Sequence, residues 1–239
     1  MQDTELLEKE LNENPSSVAV STKVEEKIKI KGGLIYAFFK RAFDIISSLV
    51  ALLMLSPILI IFALLVKLTS RGPVFFKDRR VGKNGKEIKV YKFRSMYMDA
   101  ESRLKEYLTE EQYQTWLVER KIDNDPRITK LGKFIRKTSI DELPQLINIF
   151  KGDMSVVGPR PITKLEIDLN FSEEERKVLL TARPGLTGYW QVYGRSDVDY
   201  ASGQRQKLEL EYYTKRGFWF DIKLIFLTIP AVLKSKGAQ

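Results

Sequence analysis

Residues 45–66 read IISSLVALLMLSPILIIFALLV, an apolar run interrupted at its middle by Ser56-Pro57 and bracketed on both sides by cations. A helix of this length would be about 33 Å long, enough to cross a hydrocarbon core. The flanks argue against a simple crossing. Lys40 and Arg41 precede the run, and Lys67, Arg71, Lys77, Arg79 and Arg80 follow it. A spanning helix would put one of these groups outside, against the preference of cations for the cytoplasmic face. Pro57 removes a backbone donor, and Ser56 can bond the carbonyl that the proline leaves free, so the pair is a plausible bend. The run therefore predicts a re-entrant helix-break-helix turning at Ser56 and Pro57, with a proline-kinked single span as the alternative.

Composition restricts the chemistry. The chain has 239 residues, no cysteine and no histidine. Disulfides, thiolate nucleophiles and Ser-His or Cys-His triads are excluded, which leaves Asp, Glu, Lys, Tyr and Ser to supply any acid, base, nucleophile or metal ligand. No GxxxxGK[ST] loop or GxGxxG pattern occurs, so a nucleotide would have to be held by other means. Met1 to Glu26 carries seven acidic and two basic residues, leaving 38 cations against 24 carboxylates on the rest. The first segment is polar enough to predict a disordered tail. The basic remainder suits an anionic lipid surface or a polyphosphate substrate; with no recognised nucleic-acid module, nucleic acid is not an expected partner.

Beyond the apolar run, PVFFKDRRVGKNGKEIKVYKFRSM predicts a β-hairpin, with strands over Val74 to Arg80 and Glu87 to Phe93 and a turn at Asn84-Gly85. Arg79, Arg80, Lys92 and Arg94 on this ribbon are candidates to face a polyanion, a solvated or lipid-facing ribbon being the alternative. Met98 to Arg120 has the periodicity of one or two surface helices. In ITKLGKFIRKTSIDELPQLINIFKGDMSVVGPRP, residues 128–161, Ser139 and Glu142 have capping-box spacing. That places Asp141 and Glu142 at a helix N-terminus, where the dipole favours the ionised form of a nucleophile or magnesium ligand; an ordinary cap is the alternative. Arg160, mounted between Pro159 and Pro161, suits a phosphate fork or a solvated surface turn. Phe218 to Leu233 is too mixed to span and predicts a helix lying in the membrane interface.

Taken in order, KRAFDIISSLVALLMLSPI, GPVFFKDRRVGKNGKEIKVYKFRSM, NDPRITKLGKFIRKTSIDELPQLINIFKGDMSVVGPRP and RPGLTGYWQVYGRS resemble the bacterial sugar transferases, the monotopic phosphoglycosyl transferases. The likeness runs from Lys40 to about Leu233 and is greatest to the undecaprenyl-phosphate galactose or glucose phosphotransferases. It implies transfer of a sugar phosphate from a UDP-sugar to undecaprenyl phosphate with release of UMP, at the start of surface-glycan synthesis. It further implies Asp141 as a covalent nucleophile, Glu142 as its assistant in magnesium binding or proton handling, and Mg2+ held by these two carboxylates. Arg160, with Lys92 and Arg94, would bind phosphate. Arg183, Tyr189, Trp190 and Arg195 are candidate substrate contacts, core packing being the alternative for the aromatics.

The expected architecture is α+β and mainly helical. It comprises a disordered acidic tail (1–30), a membrane-associated re-entrant hairpin (31–72) and a cytoplasmic catalytic core (73–239) that ends in the interfacial helix. Where many relatives carry an N-terminal block of membrane helices, this chain is expected to be a stand-alone module. Its expected place is the cytoplasmic leaflet of the inner membrane, with a homodimer and downstream glycosyltransferases as further partners that the resemblance admits. A non-catalytic scaffold or lipid-binding adaptor is the competing reading.

Overall fold

The computed structural model describes residues 28–100, 102, 104–113, 122, 124–194, 198, 200 and 202–233. Arg195, the tail up to residue 27 and residues 114–121 of the expected surface helices lie outside them. Residues 28–30, counted with the tail above, are described, and Ile28 packs against the main core.

The apolar run lies within one helix, α1 (Leu34–Thr69), which continues through Pro57. The predicted break at Ser56 and Pro57 is therefore not an interruption of the helix. Pro57 has no N–H to give to the carbonyl of Leu53, and the Ser56 hydroxyl donates to that oxygen instead at 2.8 Å. The vacancy left by the proline is filled locally, which lets the helix carry on.

The predicted hairpin forms from β1 (Phe75–Val81) and β2 (Glu87–Phe93), antiparallel, with Phe75 opposite Phe93 and Val81 opposite Glu87. Its connection is a 3-10 turn over Lys83–Gly85, in which Asn84 (φ 58°) and Gly85 (φ 76°) occupy the left-handed region. A single helical turn follows at Leu104–Tyr107. Then come α2 (Lys130–Lys137), a 3-10 turn over Ile140–Glu142, and α3 (Gln145–Lys151). A second sheet, not foreseen from the sequence, pairs β3 (Ser155–Val157) in parallel with β4 (Gly185–Thr187). Between these strands lie α4 (Lys164–Asn170) and α5 (Glu173–Leu179), each opened by a capping box. Gly158 and Gly185 are required where the two backbones meet, since a Cβ on either would run into the other's main chain. The chain closes with α6 (Tyr189–Tyr193), α7 (Gln204–Lys215) and α8 (Phe218–Leu233).

One side of α1 packs along the core. Ala51, Leu52 and Leu55 join Ile88, Val90, Leu146, Ile149 and Met154, while Leu59, Phe62 and Ala63 surround Val66, Phe93 and Ile135. On its other side Leu53, Met54, Ile60, Ile61, Leu64 and Leu68 are exposed. An apolar surface of this extent marks a partner that is itself apolar. Among the described residues α1 is the one helix long and apolar enough to cross a membrane. α8 buries Leu224 and exposes Trp219, Phe226 and Ile229, the two-sidedness of a helix lying at an interface.

Polar ties fix α1 at several heights. Lys40 pairs with Asp221 at 2.7 Å, and Arg41 donates to the carbonyls of Ile149 and Phe150 at the end of α3. Asp44, fully buried, accepts from the Ser155 hydroxyl at 3.0 Å and the Val156 N–H at 2.9 Å. At the far end Arg94 donates to the carbonyls of Val66 and Ser70. Removing the Asp44 carboxylate strands two buried donors, so Asp44→Ala should cost about 3 kcal/mol, or roughly 6–12 °C in Tm. Asp44→Asn keeps an acceptor oxygen and should lose less than half of that in a thermal melt of the detergent-solubilised protein. Equal losses would show that charge, not acceptance, is what β3 requires.

Candidate active site

Asp141 and Glu142 occupy the 3-10 turn before α3 and not its first turn, because the helix begins only after Pro144. Proline suits a helix start, where its missing N–H would have no helical partner. Ser139 adopts a left-handed conformation (φ 56°) and its side chain makes no cap, so the expected capping box is absent. The expectation that the helix end would favour an ionised Asp141 also fails. Burial, followed by the neighbouring charge of Glu142, pushes its carboxyl up to about 6, against the opposing pull of Lys92 and Arg136. Desolvation of the anion outweighs dipole and cations.

Lys92 reaches this turn because α3 is pinned to β2. The Asn148 side chain donates to the carbonyl of Lys89 at 2.8 Å and accepts from the N–H of Tyr91 at 2.9 Å, continuing the strand's backbone pattern into the helix. Arg136, overlooked in the sequence, comes from α2. That helix is started by Thr129, whose hydroxyl accepts from the Gly132 N–H, and it follows the buried Asp125–Arg127 pair. The Arg136 Nε donates to the Ser95 hydroxyl at 2.8 Å, and burial lowers its pKa. The motif spacing NDPRIT–R–DE therefore encodes one folded corner that sets a guanidinium near Asp141.

Phosphate candidates divide sharply. Lys92 pairs with Asp78 at 3.1 Å, and Asp78 pairs with Arg80, which continues to Glu166 at 3.1 Å. Strand alternation places Asp78, Arg80 and Lys92 on one face with Ile88 and Val90, a face that the hairpin register could have revealed. Arg94 departs from expectation in position: one of its nitrogens caps the C-terminal end of α1, and Nε and Nη1 have no partner among the described residues. Arg183 is likewise a backbone tie, its Nε donating to Gly152 at 2.7 Å.

Arg160 belongs to a second cluster. Its backbone N–H donates to Glu209 at 3.1 Å, and its guanidinium lies 5.0 Å from the Trp190 ring centroid. Arg205 lies 4.4 Å from the same ring and 4.1 Å from that of Tyr200. Trp190 is thus a buried support for cations. Tyr189 is buried against Tyr193 and Phe220, with its hydroxyl accepting from Lys215. Neither ring is an open stacking surface, so the core-packing alternative holds for both. Glu209 is fully buried, and burial pushes its carboxyl up to about 7 despite the Arg160 N–H and two nearby guanidiniums.

Among the described residues no group of three or more acidic side chains is placed to hold a metal ion. Asp141 and Glu142 supply two adjacent carboxylates, and the charge of Glu142 disfavours that of Asp141. This set fits magnesium, which binds through one or two carboxylates and fills its shell with water and substrate phosphate.

A sequence model described as "Bacterial sugar transferase" matches residues 35–235. The chain is 43% identical over 201 residues to the exopolysaccharide production protein ExoY of Rhizobium meliloti, covering 83% of this chain and 87% of that protein. It is 45% identical over 204 residues to the undecaprenyl-phosphate galactose phosphotransferase of Salmonella typhimurium, covering 84% of this chain and 42% of the relative. Identity to the UDP-glucose:undecaprenyl-phosphate glucose-1-phosphate transferase of Escherichia coli is 41% over 208 residues, covering 83% of this chain and 41% of the relative. The chain thus spans less than half the length of these last two relatives.

The Asp141 electrostatics are directly testable by carboxyl NMR, assigned by difference from Asp141→Asn. Glu142→Gln removes a like charge and should move the midpoint down from about 6; Lys92→Gln removes an opposing cation and should move it up. The raised carboxyl also has a stability consequence. Its contribution is fully present below the unfolded value near 3.8 and is lost as pH rises through about 6. Asp141→Asn should therefore gain stability relative to the wild type between pH 4 and 8, whereas a simple capping residue would lose it.

Proposed function

The chain belongs to the bacterial sugar transferase family, and from that premise we propose that it transfers a hexose 1-phosphate, galactose or glucose, from a UDP-sugar to undecaprenyl phosphate. The observation that carries the reading is the position of Asp141. Its neighbour Ile140 packs into the cluster of Val66, Phe93 and Ile135, together with Leu59, Phe62 and Ala63 of the apolar helix. The carboxylate therefore sits beside the helix whose opposite side is exposed and apolar, within reach of the charges of Lys92 and Arg136. A membrane-bound acceptor and a water-soluble phosphate donor can both approach such a point.

In the proposed reaction a carboxylate oxygen of ionised Asp141 attacks the phosphorus that bears the sugar. The bond from that phosphorus to the bridging oxygen breaks, and its electron pair leaves with UMP. A phosphate oxygen of undecaprenyl phosphate then attacks the aspartyl phosphosugar. This breaks the bond to Asp141, restores the carboxylate and leaves a diphosphate-linked sugar in the membrane. Lys92 and Arg136 would hold the transferring phosphoryl oxygens, where fixed cations oppose the charge that develops. Asp141 and Glu142 would hold magnesium, whose chemistry would be further neutralisation of phosphate charge.

The topology proposed with this function keeps both flanks of α1 on the cytoplasmic side, with the helix bending at Ser56-Pro57 within the inner leaflet. Its support is mechanical. A straight helix of this length would measure about 54 Å, well beyond a hydrocarbon core of about 30 Å. Asp44 and Val66, about 33 Å apart along a straight helix, are both built into the same folded body, which a crossing would divide between the two sides of the membrane. Cysteines at Lys40 and Lys77, in a chain that has none of its own, should both be labelled from the cytoplasm only. Periplasmic labelling of either would sink this topology.

Turnover tests the chemistry. Incubation with UDP-galactose or UDP-glucose but no lipid acceptor should yield a phosphosugar adduct on Asp141 by mass spectrometry. Asp141→Asn should lose at least about a thousandfold in UMP release while its Tm does not fall below that of the wild type. A scaffold or adaptor releases no UMP, and an adduct on another residue refutes the assignment.

A further inference from the structure

An open groove of about 650 Å3 lies where the start of α1 meets the corner between α7 and α8. Ile35, Tyr36 and Phe39 line it from α1 and Phe218 from α8, and Lys31 and Arg216 are its cations. Main-chain bonds fasten the corner. The Lys31 N–H donates to the Tyr213 carbonyl at 2.9 Å, and the Arg216 Nε donates to the Lys31 carbonyl. Gly32 turns the chain with φ 90°, where a Cβ would run into the Tyr36 ring. Neither Lys31 nor Arg216 has an ion pair among the described residues. The neighbouring carboxylates are already taken: Asp221 by Lys40 at 2.7 Å and the Tyr36 hydroxyl at 2.8 Å, and Glu211 by Lys215 at 2.6 Å. Two unpaired cations therefore stand beside an apolar wall, the lining of a small-molecule site.

Position and charge narrow the occupant. Along α1 the exposed residues Ile35, Phe39, Ile46, Leu53, Ile60 and Leu64 recur at intervals of four and seven, so they form one stripe, and the groove is its cationic end. Phe38 and Trp219 beside the groove are also exposed, and tryptophan favours the boundary between lipid and water. A free phosphate would leave the apolar wall uncovered. A zwitterionic lipid would bring a further cation where no described carboxylate is free to receive it. A molecule that joins an anionic headgroup to acyl chains satisfies both the cations and the wall. The reacting acceptor is a different molecule: Phe62, which packs in the cluster that Ile140 joins, lies 23 residues beyond Phe39, about 35 Å along the helix.

We propose that this groove binds one anionic phospholipid of the membrane, with its phosphate between Lys31 and Arg216 and its chains against Ile35, Phe39 and Phe218. The site is separate from the sugar-phosphate reaction and does not depend on it. Its occupant holds the first turns of α1 and the corner before α8 at the level of the headgroups, where near-surface cations gain most from anionic lipid.

The test is titration of the full chain, in micelles of a neutral detergent, with phosphatidylglycerol and with phosphatidylcholine carrying the same brominated chains. Binding is read as quenching of tryptophan fluorescence, since Trp219 lies 5.5 Å from Phe218 between ring centroids. The wild type should bind phosphatidylglycerol at least about tenfold more tightly than phosphatidylcholine. Lys31→Gln and Arg216→Gln should each weaken phosphatidylglycerol roughly fivefold, the worth of one near-surface cation, and leave phosphatidylcholine within about twofold. Lys223→Gln removes an equal charge from an exposed position of α8 outside the groove and should leave phosphatidylglycerol within about twofold. The Arg216 side chain also ties the corner, so Tm is measured for each variant; if Arg216→Gln has lost its fold, Lys31→Gln decides, because the Lys31 side chain bears none of the described ties. Equal affinity of the wild type for the two lipids overturns the inference, whether the groove is then filled by the chain's own acidic first segment or by a second copy. Unchanged phosphatidylglycerol affinity in folded Lys31→Gln overturns it too, and an equal loss in Lys223→Gln replaces the site with diffuse attraction.

Discussion

A buried carboxylate inside an apolar helix is the constraint on which the rest of the molecule depends. Asp44 accepts a hydroxyl and a backbone N–H from β3, and this ties the apolar helix to the small parallel sheet. The neighbouring turns repeat the tactic with other groups. Arg41 takes the carbonyls that end α3, and Lys40 with Tyr36 takes Asp221 of α8. Apolar packing alone has no preferred register along a helix that is hydrophobic nearly all round, and directional bonds supply it. Once α1 is fixed, the positions of α3 and of the turn before it follow.

The same placement sets the chemistry of Asp141. Packing Ile140 beside α1 withdraws the adjacent carboxyl from water, and the resulting penalty exceeds what Lys92 and Arg136 return. A carboxyl raised to about 6 is still ionised for the most part at neutral pH, but its anion is poorly solvated. A weakly solvated anion beside fixed cations is favourable for attack on phosphorus, because charge moves from the carboxylate towards groups already aimed at it. Glu142 contributes to that state simply by its like charge.

Charged residues elsewhere show how little side-chain type says about role. Arg94 and Arg183, as cationic as Arg160, spend hydrogen bonds on the carbonyls that end α1 and on Gly152. Arg160 and Arg205 rest on Trp190, with their charge uncompensated by any ion pair among the described residues. Distinguishing these uses requires knowing which unpaired backbone groups lie within reach, and those are set by where helices end in space.

The sequence by itself determined the elements whose causes are local. The Asn84-Gly85 turn with its flanking strands and the two-sided final helix emerge with nearly the expected bounds, and the apolar run is helical within a longer element. Absence of histidine and cysteine directed attention to carboxylates, and Asp141 with Glu142 do form a half-buried pair. Tertiary structure decided the rest. Pro144 delayed the helix so that Ser139 capped nothing, and Ser56 repaired the vacancy at Pro57 so that the helix did not break. The pairing of β3 with β4 depends on Gly158 and Gly185 meeting across a long crossover. The approach of Lys92 to Asp141, and the hold of Ser95 on Arg136, likewise depend on contacts between segments far apart in the chain. Periodicity and turn chemistry act between near neighbours and can be read along the chain; desolvation and charge pairing act through space, and exist only after distant segments have packed.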